Sequence, residues 1–196
     1  MELNKKLLLV ATLVTALNFT GCGYNTLQVK DEAVLASWSE VENQYQRRLD
    51  LIPNLVEVVK GYAAHEKETL EAVTQARSNV AGMKVDKEVL EDPALFEKYQ
   101  QAQNQLQGAL SRLLMVSEKY PDLKANEQFR DLQVQLEGTE NRISVARNRY
   151  ITTVQDFNSY ARQFPQVMTA KVIGLDAKPN FKADPNAATA PKVSFN

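Results

Sequence analysis

The chain has little of what makes an enzyme recognisable. It holds one cysteine and one histidine in 196 residues, which excludes an internal disulfide, a histidine cluster and a thiolate zinc site. His65-Glu66 is followed by Lys67, Glu68 and Thr69, so the second histidine of a zinc-protease helix is missing and His65 reads as a surface or packed residue. The seven glycines build no phosphate loop; Gly61, Gly108 and Gly138 each stand alone in helical sequence. There each costs up to about 1 kcal/mol relative to alanine, and close approach of a neighbouring helix is the simplest reason to keep them. Neither sign of charge dominates: 23 basic side chains face 24 acidic ones. That balance gives no drive towards phosphate backbones, and nucleic acid is not an expected partner. No run alternates with period two, and no cofactor signature is present.

What is there begins with a cationic start, Lys5 and Lys6, and an unbroken apolar run from Leu7 to Leu17. As a helix that run is about 17 Å long, short of a hydrocarbon core of about 30 Å. Residues 1–21 therefore read as a cleaved lipoprotein signal peptide, because Phe19-Thr20-Gly21-Cys22 resembles the bacterial lipobox. Cys22 becomes the expected lipid anchor, carrying palmitate or a similar acyl chain, and two or three such chains hold a protein firmly on a membrane. An uncleaved N-terminal membrane anchor is the alternative reading. Residues 22–30 form a tether. Gly23 follows the cysteine where lipoproteins kept at an inner membrane carry aspartate, which favours the outer of two membranes. Removing residues 1–21 leaves 21 basic against 23 acidic side chains.

Proline and periodicity organise the rest. Pro53, Pro93, Pro121 and Pro165 bound long proline-free stretches, and proline is tolerated at helix starts and past helix ends but costs about 3 kcal/mol inside. Within the stretches apolar residues step by three and four: Val34, Trp38, Val41, Tyr45, Leu49 and Ile52 in the first, Leu106, Leu110 and Leu113 in the third, Ile143, Tyr150, Val154 and Phe157 in the fourth. The expectation is an all-α protein, an antiparallel up-and-down four-helix bundle over residues 31–165 with helices near 31–50, 53–81, 93–119 and 124–164. A single helix kinked at Pro53 is the alternative for the first two. Asp92 before Pro93 and Asn126 are expected N-caps, and Gly82 a C-terminal stop. Residues 166–196 are expected to be an irregular, partly flexible tail, which Val172, Ile173, Leu175, Phe181 and Phe195 either clip loosely to the bundle or offer to a partner.

Charges on the stripes are the candidate site. Glu66, Glu140 and Arg147 fall at core-facing steps, and Arg47, Arg48, Arg77 and Arg142 lie close enough along their helices to reach inward. A buried charge must be paired, so these seven form an expected polar network, with Glu140 accepting from Arg47, Arg48 or Arg77. The functional alternative is acid-base chemistry on Glu66 or Glu140, which needs two carboxylates held together or one perturbed group in a cleft.

Several blocks together resemble a known family. Tyr24-Asn25, Trp38, the run Tyr45 to Val56 through Arg47-Arg48 and Ile52-Pro53, and Val59 to Glu66 are similar to the LemA family. Glu118 to Ala125, Gly138 to Ile143, and Ala146-Arg147 with Tyr150 continue the likeness in order and spacing. The resemblance implies an antiparallel helical bundle held by its N-terminus on the outer face of a bacterial membrane. It implies no established reaction or catalytic residue, and it suggests an envelope partner such as a TPM-domain protein. Two departures stand out: a lipidated cysteine replaces the usual longer transmembrane helix, and Ile151 follows Tyr150 where the family carries asparagine. The expected function is a non-enzymatic scaffold or interaction module of the cell envelope; the alternatives are an envelope hydrolase or peptidoglycan-active enzyme using Glu66 or Glu140, and a ligand carrier.

Overall fold

Helix α1, Glu2–Tyr62, is the spine of the computed structural model, which describes the backbone of residues 2–83 and 87–182 and the side chains of 23–83 and 88–182. The expected signal peptide, Cys22 and the segment 183–196 with Phe195 have side chains outside the described residues. From Leu27 onward α1 buries one stripe: Val34, Trp38, Val41, Tyr45, Leu49, Ile52, Leu55 and Val59. The helix boundary expected at Pro53 is absent: α1 runs through the proline for nine further residues, as the continuous-helix alternative has it at this point. Proline removes the amide that would bond the Leu49 carbonyl one turn back. Arg77 replaces it: its Nε–H donates to the Leu49 oxygen at 3.1 Å. The orphaned acceptor is thereby satisfied from a neighbouring helix, and the proline ring faces solvent.

This pairing predicts a dependence between two residues distant in sequence. Arg77→Met is expected to cost about 1–3 kcal/mol by stranding a buried carbonyl. In a Pro53→Ala background the restored amide bonds Leu49, and the cost of Arg77→Met should fall by more than half. Urea unfolding of the four proteins checks it, and equal costs in both backgrounds would refute it.

The break between the first two helices lies at Ala63–Glu66 instead, closed by Glu66 N–H to the Ala63 carbonyl at 3.0 Å. Helix α2, Lys67–Ala81, then ends at Gly82. A one-turn 3-10 segment, Lys87–Leu90, leads to α3, Pro93–Val116, where Asp92 accepts from the Ala94 and Leu95 amides. A short helix α4, Pro121–Ala125, precedes the expected fourth helix, which is α5, Glu127–Ala161, capped as expected by Asn126 accepting from Phe129 N–H at 2.8 Å. The described residues are all helix and connecting segments, with six α-helices and no strand. Among the described residues no helix is long and apolar enough to cross a membrane.

Helix α5 runs back along α1, with the register fixed by Lys30–Asp156, Glu40–Arg149, Arg48–Glu140 and Tyr62–Asn126 bonds. Trp38, Leu70, Leu106, Leu113, Ile143 and Phe157, drawn from all four expected helices, are all buried. Tyr62 is half exposed because α1 ends there. The expectation that Gly61, Gly108 and Gly138 permit close helix approach is corrected: a Cβ built at any of them meets nothing within 4 Å.

The C-terminal part departs from the irregular tail expected after 165. Helix α6, Gln166–Ile173, packs on α1 and closes at Gly174, whose φ of 70° is the left-handed conformation glycine tolerates best. Residues 175–182 then form a strap docked on the helices. Asn158 clasps Lys178, accepting from its amide and donating to its carbonyl, both at 2.9 Å. Gln100 holds Lys182 in the same two-sided way at 3.5 and 2.7 Å. Tyr150 Oη–H donates to the Pro179 carbonyl, and Lys178 pairs with Asp31 at 3.0 Å, both charges nearly inaccessible. Phe181 completes the aromatic cluster of Trp38, Phe96 and Tyr150. The strap thus ties α5 to α3.

Candidate functional site

Arg48 is 2% exposed and the largest side chain buried so completely. It sits on the core face of α1 because the stripe continues through Tyr45, Leu49 and Ile52 on either side. Its Nη1 donates to both oxygens of Glu140 on α5, at 2.9 and 3.2 Å, and its Nη2 donates to Gln103 Oε1 on α3. Gln103 Nε2 in turn donates to Tyr99 Oη at 2.8 Å, and the guanidinium lies 5.1 Å from the Tyr45 ring centre. One buried cation therefore joins three helices. Its Nε–H has no partner among the described residues.

This network floors a polar cleft between α3 and α5. One recess, about 320 Å³, is lined by Tyr45, Arg48, Gln103, Asn104, Glu140 and Arg147 among others. A second, about 450 Å³, continues it past Gln107 and Ser111 to Lys182 on the strap. Arg147 belongs to both, its guanidinium 4.3 Å from the Phe181 ring centre. The lining is rich in amide side chains and cations, and Glu140, its one acid, is already neutralised by Arg48. Burial pushes the phenols of Tyr45, Tyr99 and Tyr150 above their ordinary value, so all three stay neutral hydrogen-bonding groups. A larger open groove, about 1140 Å³, lies between the end of α1 and α2, but its charges, Lys60, Lys67, Glu68 and Glu71, are exposed surface groups.

Of the seven charges singled out by sequence, three meet here: Arg48, Glu140 and Arg147. Arg47 and Arg142 are exposed on their helices, and Arg77 serves the Leu49 carbonyl. Glu66 sits at the α1–α2 turn, accepting from Tyr120 Oη–H at 3.3 Å. That turn lies beside Asn126, and Glu140 is fourteen residues down α5 from Asn126, or about 21 Å at 1.5 Å per residue. The two glutamates therefore cannot act on one bond. Among the described residues no group of three or more histidine, cysteine, aspartate or glutamate side chains is placed to hold a metal ion. His65 is exposed. Sequence reasoning missed the α3 amides Gln100, Gln103 and Gln107, although their steps of three and four were a readable signal of one face. Ile151, where the chain departs from the motif it resembles, lines the first recess.

Comparison with known proteins agrees with this architecture in extent. Magnetosome protein MamQ 2 of Paramagnetospirillum magneticum is 25% identical over 184 residues, covering 85% of this chain and 67% of that protein. MamQ of Magnetospirillum gryphiswaldense is 24% identical over 196 residues, covering 92% of this chain and 72% of the relative. Protein LemA of Metamycoplasma hominis is 25% identical over 135 residues, which span 69% of this chain and 58% of that one. The LemA family model matches residues 37–195, a span that takes in Arg48, Gln103, Glu140 and Arg147. The chain belongs to the LemA family.

Proposed function

We propose that this protein is a non-enzymatic interaction module of the bacterial cell envelope. Its up-and-down bundle of α1, α2, α3 and α5 is held to the membrane through Cys22 and presents the α3–α5 cleft to an envelope partner. A TPM-domain protein is the first candidate partner, and the outer membrane the first candidate location. The observation that carries the reading is the state of Glu140: both oxygens are engaged by a buried guanidinium, so the cleft's acid is committed to structure. What remains available is binding chemistry, the amides of Asn104 and Gln107 and the cation of Arg147. Such a lining suits carboxylates and backbone amides on a partner's surface.

The test has two arms. Cys22→Ser should release the protein from membranes or leave an uncleaved precursor, and mass analysis of the wild-type N-terminus should show an acylated cysteine; an intact Met1 sinks the anchor. Reversible crosslinking on intact membranes with wild type and Arg147→Glu should show one partner lost from the variant. Unchanged recovery of every crosslinked protein would sink the role of the cleft.

A further inference from the structure

Helix α6 turns two large apolar side chains away from the bundle while Ala170 and Ile173 pack on it. Gln166 and Ala170 turn towards α1, and Ala170 is buried. Met168 and Val172, one turn apart on the opposite side, are 60% and 85% exposed, and Phe164 just before the helix is 82% exposed. Exposing three large apolar groups together is unfavourable in water, at roughly 25 cal/mol per Å² of apolar surface. The position of α6 supplies what covers them. A Cβ built on Gly23 would stand 3.0 Å from Gln166 Cγ, so α6 abuts α1 at the residue next to Cys22. Leu17, the last residue of the apolar run, is six residues up the same helix, or about 9 Å. The headgroup zone outside the hydrocarbon is about 5–8 Å deep on each side. Whether the run stays in the bilayer or acyl chains on Cys22 replace it, α6 is brought to the membrane surface. Tyr24, next to Gly23 and 45% exposed, has the amphipathic ring that favours this depth, and Arg162, two residues before Phe164, and Lys171, next to Val172, are exposed cations.

We infer that Met168, Val172 and Phe164 insert into the lipid interface, so that α6 is a second membrane contact that seats the bundle at a fixed tilt. The inference rests on the N-terminal anchoring proposed above, and it names lipid as the partner of this face. Arg162 and Lys171, exposed cations at this surface, make it prefer anionic lipid.

The test uses the full chain in vesicles of phosphatidylcholine and phosphatidylglycerol whose acyl chains are brominated close to the headgroup. Three variants each add one tryptophan: Met168→Trp and Val172→Trp on α6, and Val134→Trp, an exposed apolar position in the first turns of α5 at the far end. Trp38 is a constant background, fifteen residues beyond Gly23 and about 22 Å from it. The added emission at 168 and 172 is expected to fall at least about twofold relative to unbrominated vesicles, as for side chains buried about 5–10 Å into the boundary, while that at 134 is unchanged. If the protein floats with the vesicles and none of the three is quenched, the inference is overturned and the anchor stands. If the protein does not float at all, both fail. Quenching at 168 and 172 in a protein whose Cys22 proves unmodified supports the lipid contact and removes the acyl anchor.

Discussion

Glu140→Leu is expected to destabilise the protein by about 3–5 kcal/mol, more than Arg48→Met does, although the two residues form one ion pair. The asymmetry follows from burial. Loss of Glu140 leaves a guanidinium that is 2% exposed, with Gln103 as its remaining hydrogen-bonded partner. Loss of Arg48 leaves a carboxylate that is 29% exposed at the floor of the cleft, where water replaces the missing donors. Arg48→Met should therefore cost about 1–3 kcal/mol, the range for a hydrogen-bonding group left to partial solvation. Adding Arg48→Met to Glu140→Leu should recover stability, since the stranded charge disappears. Urea unfolding of the two single variants and the double variant gives the coupling directly, and groups in contact are expected to couple by more than about 0.5 kcal/mol. Equal single costs that add in the double would mean that the pair is an ordinary surface contact.

Much of the fold is local chemistry and was legible in the sequence. Asp92 and Asn126 cap helices, Gly82 ends one, and the stripes through Trp38, Leu106 and Phe157 are buried because each was written at helical steps. What was not legible depends on residues that meet only in space. Pro53 reads as a boundary until Arg77, on another helix, takes its place as donor to Leu49. The real break has no strong local breaker, since Ala63-Ala64 favours helix; Tyr120 binding Glu66 and Asn126 binding Tyr62 accompany it from outside. Residues 175–182 read as a tail that Leu175 and Phe181 could only clip loosely, and they dock firmly because Asn158 and Gln100 satisfy their backbone. The candidate site was half visible. Charges at core-facing steps pointed to Glu140 and left its partner open among Arg47, Arg48 and Arg77, of which Arg48 is the one that meets it; the amides of α3 carry no charge and join the site only because α3 and α5 enclose a cleft.

Trp38→Ala is expected to cost about 3–5 kcal/mol, because it empties the centre of the aromatic cluster. The Trp38 ring centre lies 5.3 Å from that of Tyr150, 5.5 Å from Phe96, 6.0 Å from Tyr99 and 6.2 Å from Phe181, so one side chain touches α3, α5 and the strap. Its indole N–H has no acceptor among the described residues. Trp38→Phe keeps the ring contacts and gives up no hydrogen bond, and its cost should accordingly be well below that of alanine. The cluster also gives the strap its hold. Phe181 is only partly buried, so Phe181→Ala should cost less than Trp38→Ala, and it should expose residues 175–182 to protease while the helices stay folded. In the Trp38→Ala background Phe181 loses one of its three aromatic neighbours and keeps Phe96 at 5.1 Å and Tyr150 at 5.4 Å, so its removal should cost less than in wild type. Thermal unfolding of the two singles and the double, with limited proteolysis of each, separates the outcomes. Strictly additive costs, or a Trp38→Ala protein as stable as wild type, would mean that the strap is held by its backbone bonds alone and that the aromatic cluster is not its anchor.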